Sequence, residues 1–357
     1  MKTKYLLKLT PHDTFFFGGE NTFGEDNLVH YFVKSNYFPQ QTGVLGFVRY
    51  QLLAQCQDEN TFKNNRIQNK ELASELIGSK SFRLNGEFDF KSIHSISPVF
   101  ICDSNAEGIE DDYYFPANKE YQYNEKEKEF EFLEIALGTA TELKEYDPKY
   151  GLKDLMINKN NKLLKYDQIF EEHKQVGIRK KYEGGSNDKS YHLQSFYKFK
   201  KNYCFAVIVE LSDDVNVNVN FKSQSIVTFG GEQKSFRMDV SQFISKDGKK
   251  MAFEDLIPDY KKSIASEKVV LVSDAYVNEE ILDVCKFAIT ETVDFRFIKS
   301  NTEEKSNYYK KPDKSNKYNL YKKGSVFYGN HEEIEEKLFN EQLQYLGYNI
   351  FKTIKQN

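Results

Sequence analysis

Glycines set beside aromatic and β-branched residues, at three places far apart in the chain, constrain this sequence more than any other feature. The first place runs Pro11-His12-Asp13-Thr14-Phe15-Phe16-Phe17-Gly18-Gly19 and continues through Tyr37-Phe38-Pro39-Gln40-Gln41-Thr42-Gly43-Val44-Leu45-Gly46. The second is Phe229-Gly230-Gly231-Glu232-Gln233-Lys234, and the third is Gly324-Ser325-Val326-Phe327-Tyr328-Gly329, with Gly347 beyond it. Glycine lets a backbone turn through positive φ and lets a ligand come close to the main chain. Aromatic rings offer surfaces on which bases stack. Taken together, the three segments read as one RNA-binding design spread along the chain. Within the Phe15-Phe16-Phe17 run, strand alternation sends Phe16 one way and Phe15 and Phe17 the other, so most of it is core.

The 357 residues fit two domains, or one very large one, and suffice for a substantial core. With 39% hydrophobic and 29% charged residues the chain is polar and folded rather than disordered. Its 30 Phe and 24 Tyr supply a core, a stacking surface or a subunit interface. A net charge of −4 confines any RNA contact to a local basic strip. Lysine dominates that charge; the arginines are Arg49, Arg66, Arg83, Arg179, Arg237 and Arg296, each able to grip phosphate in two-pronged fashion. Cys56, Cys102, Cys204 and Cys285 stand apart, without the spacing of a zinc site or a disulfide framework. No apolar stretch approaches the ~20 residues of a membrane span, and the start lacks a long apolar core, so a cytoplasmic location is the default expectation.

The pattern predicts a first strand over 4–10, a short strand over 31–38 and a helix from Thr42 as N-cap, with Val44, Phe47, Val48 and Leu52 as its apolar stripe. A short helix is expected over 71–77 and strands over 93–101 and 130–136. The polar stretches 103–128 and 142–174 read as surface insertions, the latter ending in a helix at 166–173. Residues 191–199 and 203–211 flank Lys200-Lys201-Asn202 as a hairpin, and 225–229 and 234–240 flank the glycine turn as another. A buried strand at 269–273, a helix at 279–286, a flexible loop at 301–323, a strand at 324–328 and an amphipathic helix at 332–345 complete the reading. Irregular alternation with hairpins argues for an α+β fold with antiparallel sheets.

Several residues carry candidate chemistry. Arg49 suits a phosphate, with main-chain N–H groups near Thr42 to Val44 contributing at the helix start; the alternative is a solvated residue paired with an acid. Arg179, Lys180 and Lys181 lie between glycines, where a loop could wrap single-stranded RNA, or could equally be an exposed lysine cluster. His192 is a candidate base contact, or a packed histidine. Gly230 and Gly231 serve the turn conformation, while Lys234 could reach RNA. His12-Asp13 is the centre of one metal phosphohydrolase motif, but the other histidines are scattered without ligand spacing. Gly230-Gly231-Glu232 raises a palm-type nucleotidyl cyclase or metal-dependent ribonuclease as the alternative function. Gln233 stands where a second acid is wanted, leaving only Asp213 and Asp214 to serve.

In order along the chain, His12-Asp13-Thr14-Phe15-Phe16-Phe17, then Phe38-Pro39-Gln40-Gln41-Thr42-Gly43-Val44-Leu45-Gly46 with Arg49, Val176-Gly177-Ile178-Arg179, Phe229-Gly230-Gly231-Glu232 and Gly324-Ser325-Val326-Phe327 resemble the RAMP superfamily of CRISPR effector proteins. More narrowly they are similar to the type III-B (Cmr) subunit that caps the 5′ tag of crRNA. The chain departs from the family pattern at Gly18-Gly19, where an arginine is common, and in a sparse C-terminal glycine loop. The resemblance implies two ferredoxin-like (RRM-like) domains, taken as 1–198 and 199–357, with surface insertions. It implies no catalysis and no cofactor. It implies RNA contacts at Gly18, Gly19, Thr42, Gly43, Arg49, Arg179, Lys180, Lys181, His192 and Lys234. The implied partners are crRNA, the large cyclase-polymerase subunit and the backbone RAMP subunits, with target RNA met indirectly.

Overall fold

The computed structural model describes residues 2–19, 21–22, 32–56, 58–79, 81–103, 113–124, 127–133, 135–136, 142–143, 153–178, 191–200, 203–212, 224–245, 247–262, 267–278, 280–299 and 313–355. The strand Tyr203–Ser212 sets its centre. Its sequence is almost unbrokenly apolar, as a strand covered on both faces requires. It pairs antiparallel with Lys2–Pro11 on one side and with Ile93–Ile96 and Phe100–Asp103 on the other, inside a nine-stranded sheet.

Successive side chains of that strand enter different cores. Phe205, Val207 and Val209 join Leu7, Leu9, Phe236 and Met238. Cys204, Ala206 and Ile208 join Leu6, Phe100, Cys102 and Phe115. The helix Gln41–Ala54 covers the first core with Val44, Phe47, Val48 and Leu52, and the helix Lys70–Ile77 adds Ala73 and Ile77. The second core is closed by a four-stranded antiparallel sheet through Val270, Val326, Tyr328 and Ile354. On that sheet's far side, Val269, Leu271 and Phe327 meet Ile334 and Leu338 of the helix His331–Leu338. The layers are therefore helices, sheet, sheet, helix.

Both sheets share one strand order. Counted along the chain, Lys2–Pro11, Phe100–Asp103, Tyr203–Ser212 and Ser235–Gln242 lie in space as 2-3-1-4. So do Lys268–Leu271, Cys285–Ile289, Val326–Gly329 and Phe351–Ile354. The first set has its helix between strands one and two; the second has a 3₁₀ turn there, Ile281–Val284, and its helix between strands three and four. The expected 198/199 boundary falls inside the strand Tyr191–Phe199, and strands from both sides of it share the nine-stranded sheet.

The α+β class with mostly antiparallel sheets is what the structure has. Several finer expectations are corrected. Residues 191–199 and 203–212 are not a hairpin: the first pairs with Phe170–Ile178 and Phe32–Lys34 in another sheet, and the second with Lys2–Pro11. The stretches read as surface insertions contain the buried strands Tyr113–Pro116 and Leu155–Ile157, which extend the nine-stranded sheet. Residues 166–173 form only one helical turn, Tyr166–Ile169, before the strand Phe170–Ile178. Of the expected helix at 279–286, the described residues form a 3₁₀ turn, Ile281–Val284, leading into a strand, because Cys285–Ile289 is held by Val326–Gly329. Tyr318–Tyr321, expected in a flexible loop, pairs with Thr292–Phe295; residues 301–312 lie outside the described set. The final helix is two, His331–Leu338 and Glu341–Gln344, the second capped by the Asn340 side chain. The hairpin of Gln224–Thr228 and Ser235–Gln242 forms as expected. Among the described residues no helix is long and apolar enough to cross a membrane.

A buried ion pair joins the sheets. Lys268 Nζ lies 2.8 and 2.7 Å from the two carboxylate oxygens of Glu120, and both side chains are 0% exposed. The Tyr328 hydroxyl and the Asn118 amide also donate to Glu120. Burial lowers the Lys268 pKa, and the Glu120 charge opposes that. Removing one partner strands the other without water. Glu120→Ala is expected to cost about 3–5 kcal/mol in urea unfolding, whereas Glu120→Leu with Lys268→Met stays far closer to the parent. Equal losses in the single and double variants would show that the pair itself is dispensable to that cost.

Candidate nucleic-acid interface

The first glycine segment is built by backbone pairing. Phe15 N–H donates to Tyr197 O at 2.7 Å and Tyr197 N–H returns a bond at 3.1 Å. Phe15 and Phe17 then face the Phe205 ring, with centroids 5.1 and 5.3 Å away, while Phe16 turns to Phe196 at 5.2 Å, the alternation the sequence predicts. Gly18 takes φ +71°, and its carbonyl accepts from Asn36 N–H at 2.7 Å. A β-carbon on Gly19 would fall 1.7 Å from Lys34 O.

The second segment locks onto the first. Gly231 N–H donates to Phe16 O at 2.7 Å, and a β-carbon on Gly230 would sit 2.5 Å from that same oxygen. Gly230 supplies positive φ at the turn, but so do Glu232 (+56°) and Gln233 (+49°), while Gly231 does not. Lys234 Nζ donates to Thr14 Oγ1 at 3.0 Å and lies 4.5 Å from the Phe196 ring centre, so it ties the hairpin to the first segment.

The third segment reaches the helix start. The N-cap is Gln40 rather than Thr42, and its carbonyl accepts from Gly43 and Val44 N–H at 2.8 and 3.1 Å. Gln41 Nε2 donates to Ser97 O and to Leu346 O, both at 2.8 Å. Gly347, at φ +76°, passes so close that a β-carbon would lie 2.3 Å from Gln41 Nε2 and 2.6 Å from Pro98 N. The Tyr348 hydroxyl lies against the first-turn groups of Gln41 and Thr42; burial raises its pKa and the Thr42 and Gln41 contacts oppose this. Lys323 Nζ stands 3.3 Å from the centre of the Phe38 ring. Burial lowers that ammonium to about 8, against the pull of Asp274 and Asp154.

The helix Gln41–Ala54 thus begins against Gly347 and Lys323, which flank the third segment, and packs Phe47 on Phe229 of the second, which is bonded to the first. Its first-turn donors, that of Gly43 included, are engaged within the chain, so what it offers outward is side-chain-free surface at Gly43 and Gly46. Both are exposed, and no atom lies within 4 Å of a β-carbon built on either. Glycine in a helix costs ~1 kcal/mol against alanine, and nothing inside the chain requires it here.

Other sequence candidates sit elsewhere. Arg49 Nη2 donates to Gly78 O at 2.6 Å, with its guanidinium 5.5 Å from the Phe90 ring centre, and so holds the end of the second helix. Burial lowers its pKa, yet a guanidinium keeps its charge. Arg179, Lys180 and Lys181 lie outside the described residues, as do Asp213 and Asp214. His192 occupies a strand position opposite Gly177. His12 Nδ1 is 2.9 Å from Ser235 Oγ. Gln41, Lys323, Gly347 and Tyr348 were not singled out as contacts at the helix start; the Lys322-Lys323-Gly324 run was the only sequence hint, and Gln41 had none.

Two helix-flanked antiparallel sheets of one strand order define an α+β protein whose central sheet is covered by a core on each face. The chain belongs to the family of CRISPR-associated protein (Cas_Cmr3), whose model matches residues 7–351. Among solved structures, it is similar to a chain of a Type III-B Cmr-beta complex bound to cognate target RNA, studied by cryo-EM, at 14% identity and TM-score 0.50 over 98% of this chain and 96% of that one. A chain of the same kind of complex, bound to cognate target RNA and AMPPnP, gives 15% identity and TM-score 0.48 over 98% and 95%. Comparison with curated proteins finds no match.

Two outcomes follow from this geometry. Gly347→Ala forces an L-residue into left-handed backbone, which costs about 1–2 kcal/mol, and displaces Gln41 as well; the loss in denaturant unfolding is expected to exceed that figure, and an unchanged midpoint would refute the contact. For Lys323, the folded pKa near 8 lies below the ordinary lysine value. Between about pH 8 and 10 the unfolded chain holds more protons, so this group makes stability rise with pH. The difference between wild type and Lys323→Met should shift in that sense across the window; a constant difference would contradict it.

Proposed function

We propose that this chain is a non-catalytic crRNA-binding and scaffolding subunit of a type III-B CRISPR ribonucleoprotein. It holds the repeat-derived 5′ tag of crRNA and contacts the large cyclase-polymerase subunit and the backbone RAMP subunits. The observation that carries the reading is the bare backbone of Gly43 and Gly46 on a helix whose start is held by Gly347 and Lys323 and whose Phe47 packs on the second glycine segment. Membership of the CRISPR-associated family supports it.

The mechanism is positional. An RRM-type module stacks bases on an open sheet. Here the central sheet has cores on both faces, so RNA lies along loops and the outer helix face. Gly18 and Gly43 let a sugar-phosphate strand approach the main chain, while Gly19 holds the segment against Lys34. Arg179, Lys180 and Lys181, which follow Phe170–Ile178 in sequence, add phosphate contacts, and His192 of the strand Tyr191–Phe199 adds a base contact. Thr42, Arg49 and Lys234 act behind that surface by fixing the helix and the hairpin. We read the two sheets as two ferredoxin-like units, the first running through Ser235–Gln242 and the second beginning at Lys268.

Gly43→Leu separates grip from folding. Leucine favours the helix, so the unfolding midpoint should hold or rise. Affinity of the assembled complex for tagged crRNA should fall about tenfold, equivalent to 1.4 kcal/mol, while crRNA lacking the tag binds the variant and the parent alike. Equal affinity of the parent for tagged and untagged guides would end this reading. Turnover of nucleoside triphosphates or RNA with Mg²⁺, lost in Glu232→Ala, would replace it with the palm-type enzyme.

A further inference from the structure

The nine-stranded sheet ends on Gln224–Thr228, which pairs on its inner side with Ser235–Gln242; among the described residues no strand pairs with its outer side. An open edge offers unpaired N–H and C=O groups, and proteins guard such edges with charges, prolines or bulges. The other outer strands of the two main sheets carry such guards: Lys165 at the far end of the same sheet, and Lys286 and Lys352 on the two edges of the four-stranded sheet. Gln224-Ser225-Ile226-Val227-Thr228 has no charge and no proline, and its register with the neighbouring strand is unbroken.

The surface beside this edge is also unusual. Ile226 is 76% exposed. Cross-strand register sets it directly opposite Arg237, which in turn faces Thr10, so the three side chains form one row on one sheet face. The next row is Gln224, Asp239 and Lys8. Arg237 Nε is 2.9 Å from Asp239, yet its side chain is still 53% exposed. One carboxylate thus stands among two cations around an exposed isoleucine. The four-stranded sheet covers Leu6 on this face, but not this corner.

We propose that the Gln224–Thr228 edge is a docking surface for an extended segment of another protein subunit, which adds a strand to the sheet and sets an apolar side chain on Ile226 and a carboxylate beside Arg237. Backbone hydrogen bonds along the open edge give such a strand its hold, and the Ile226–Arg237 row gives its selectivity. A protein segment fits better than RNA because no aromatic ring lies in either row and the row's centre is aliphatic. The Ile226–Arg237 row lies on the sheet face opposite the one the helix Gln41–Ala54 covers, so the inference stands on its own observations and uses the type III-B assembly only as the setting for its test.

The test is amide hydrogen exchange on the full chain, free, with crRNA alone, and in the complex reconstituted from purified subunits. The outward-facing amides of 224, 226 and 228, those not bonded to Ser235–Gln242, should exchange fast in the free chain and with crRNA, and slow at least tenfold in the complex. Ile226→Asp and Arg237→Glu should each lower incorporation into the complex about tenfold, with unchanged circular dichroism and unchanged affinity for tagged crRNA once incorporated. Slow exchange in the free monomer, meaning that the chain covers its own edge, would overturn the proposal. Slow exchange only in a dimer of this chain, protection by crRNA alone, or normal incorporation of both variants would each do the same. Loss of tag recognition with the edge still protected would strike the function proposed above and leave this surface standing.

Discussion

The Glu120–Lys268 pair is the interaction on which the rest of this architecture depends. Burying two charges is expensive, and an apolar pair of similar volume would often hold as well. What the ions add is direction. Glu120 comes from the turn before Tyr121–Asn124 and Lys268 opens the four-stranded sheet, so satisfying both charges fixes one sheet against the other. Contacts next to the pair extend that fixation. Lys119 N–H donates to Gly324 O at 2.9 Å, and the Lys119 ammonium reaches Asp154 at 3.1 Å and Glu291 at 2.5 Å. Lys322 bonds the same two carboxylates. Burial would raise the Asp154 pKa, but the two ammonium groups outweigh it and hold the carboxyl below its ordinary value. The next residue, Lys323, is the one that lies over Phe38. An unbroken path therefore runs from the buried pair to the helix start, so the site's shape is inherited from the packing of the two sheets.

That packing also decides where a ligand cannot go. The abundance of Phe and Tyr suggests stacking platforms, yet Phe15, Phe205 and Tyr197 are buried, and Phe170 and Phe199 complete the same cluster. Phe38 is taken by a lysine. The rings spend their area on the core, because a sheet covered on both faces needs large apolar side chains on both. Among the described residues, what the packing leaves exposed includes main chain on one face of the helix Gln41–Ala54.

Local pattern told much of this and topology little. The apolar run from Tyr203 to Leu211 announces a strand, and the Gly-Gly hairpin announces its own turn. Nothing in the run says that it pairs with Lys2–Pro11 instead of its neighbour Tyr191–Phe199, because partner choice lies in the other sheet's shape. Polar flanks hid Tyr113–Pro116 and Leu155–Ile157, three- and four-residue strands too short to show a period. Thr42 has the chemistry of an N-cap, but Gln41 is pinned by carbonyls of residues 97 and 346, and the helix begins earlier than local propensity suggests. No sequence pattern reveals that the carbonyl of Gly78 lies within reach of Arg49, a residue the sequence left open between a phosphate contact and a solvated ion pair.

The glycines divide by what surrounds them, and the division carries functional meaning. Gly19, Gly230, Gly324 and Gly347 each have another part of the chain where a β-carbon would go, so the fold alone accounts for them. Gly43 and Gly46 have nothing there and adopt ordinary helical backbone, where alanine would be favoured by ~1 kcal/mol apiece. Internal packing gives no reason to tolerate that cost at two positions one turn apart on an exposed face. A partner that needs the backbone itself, without side chains in the way, supplies one. Gly347 brings the end of the chain against the helix start, Gly230 and Gly231 hold the hairpin against Phe16, and the outward pair leaves the helix surface beside them bare.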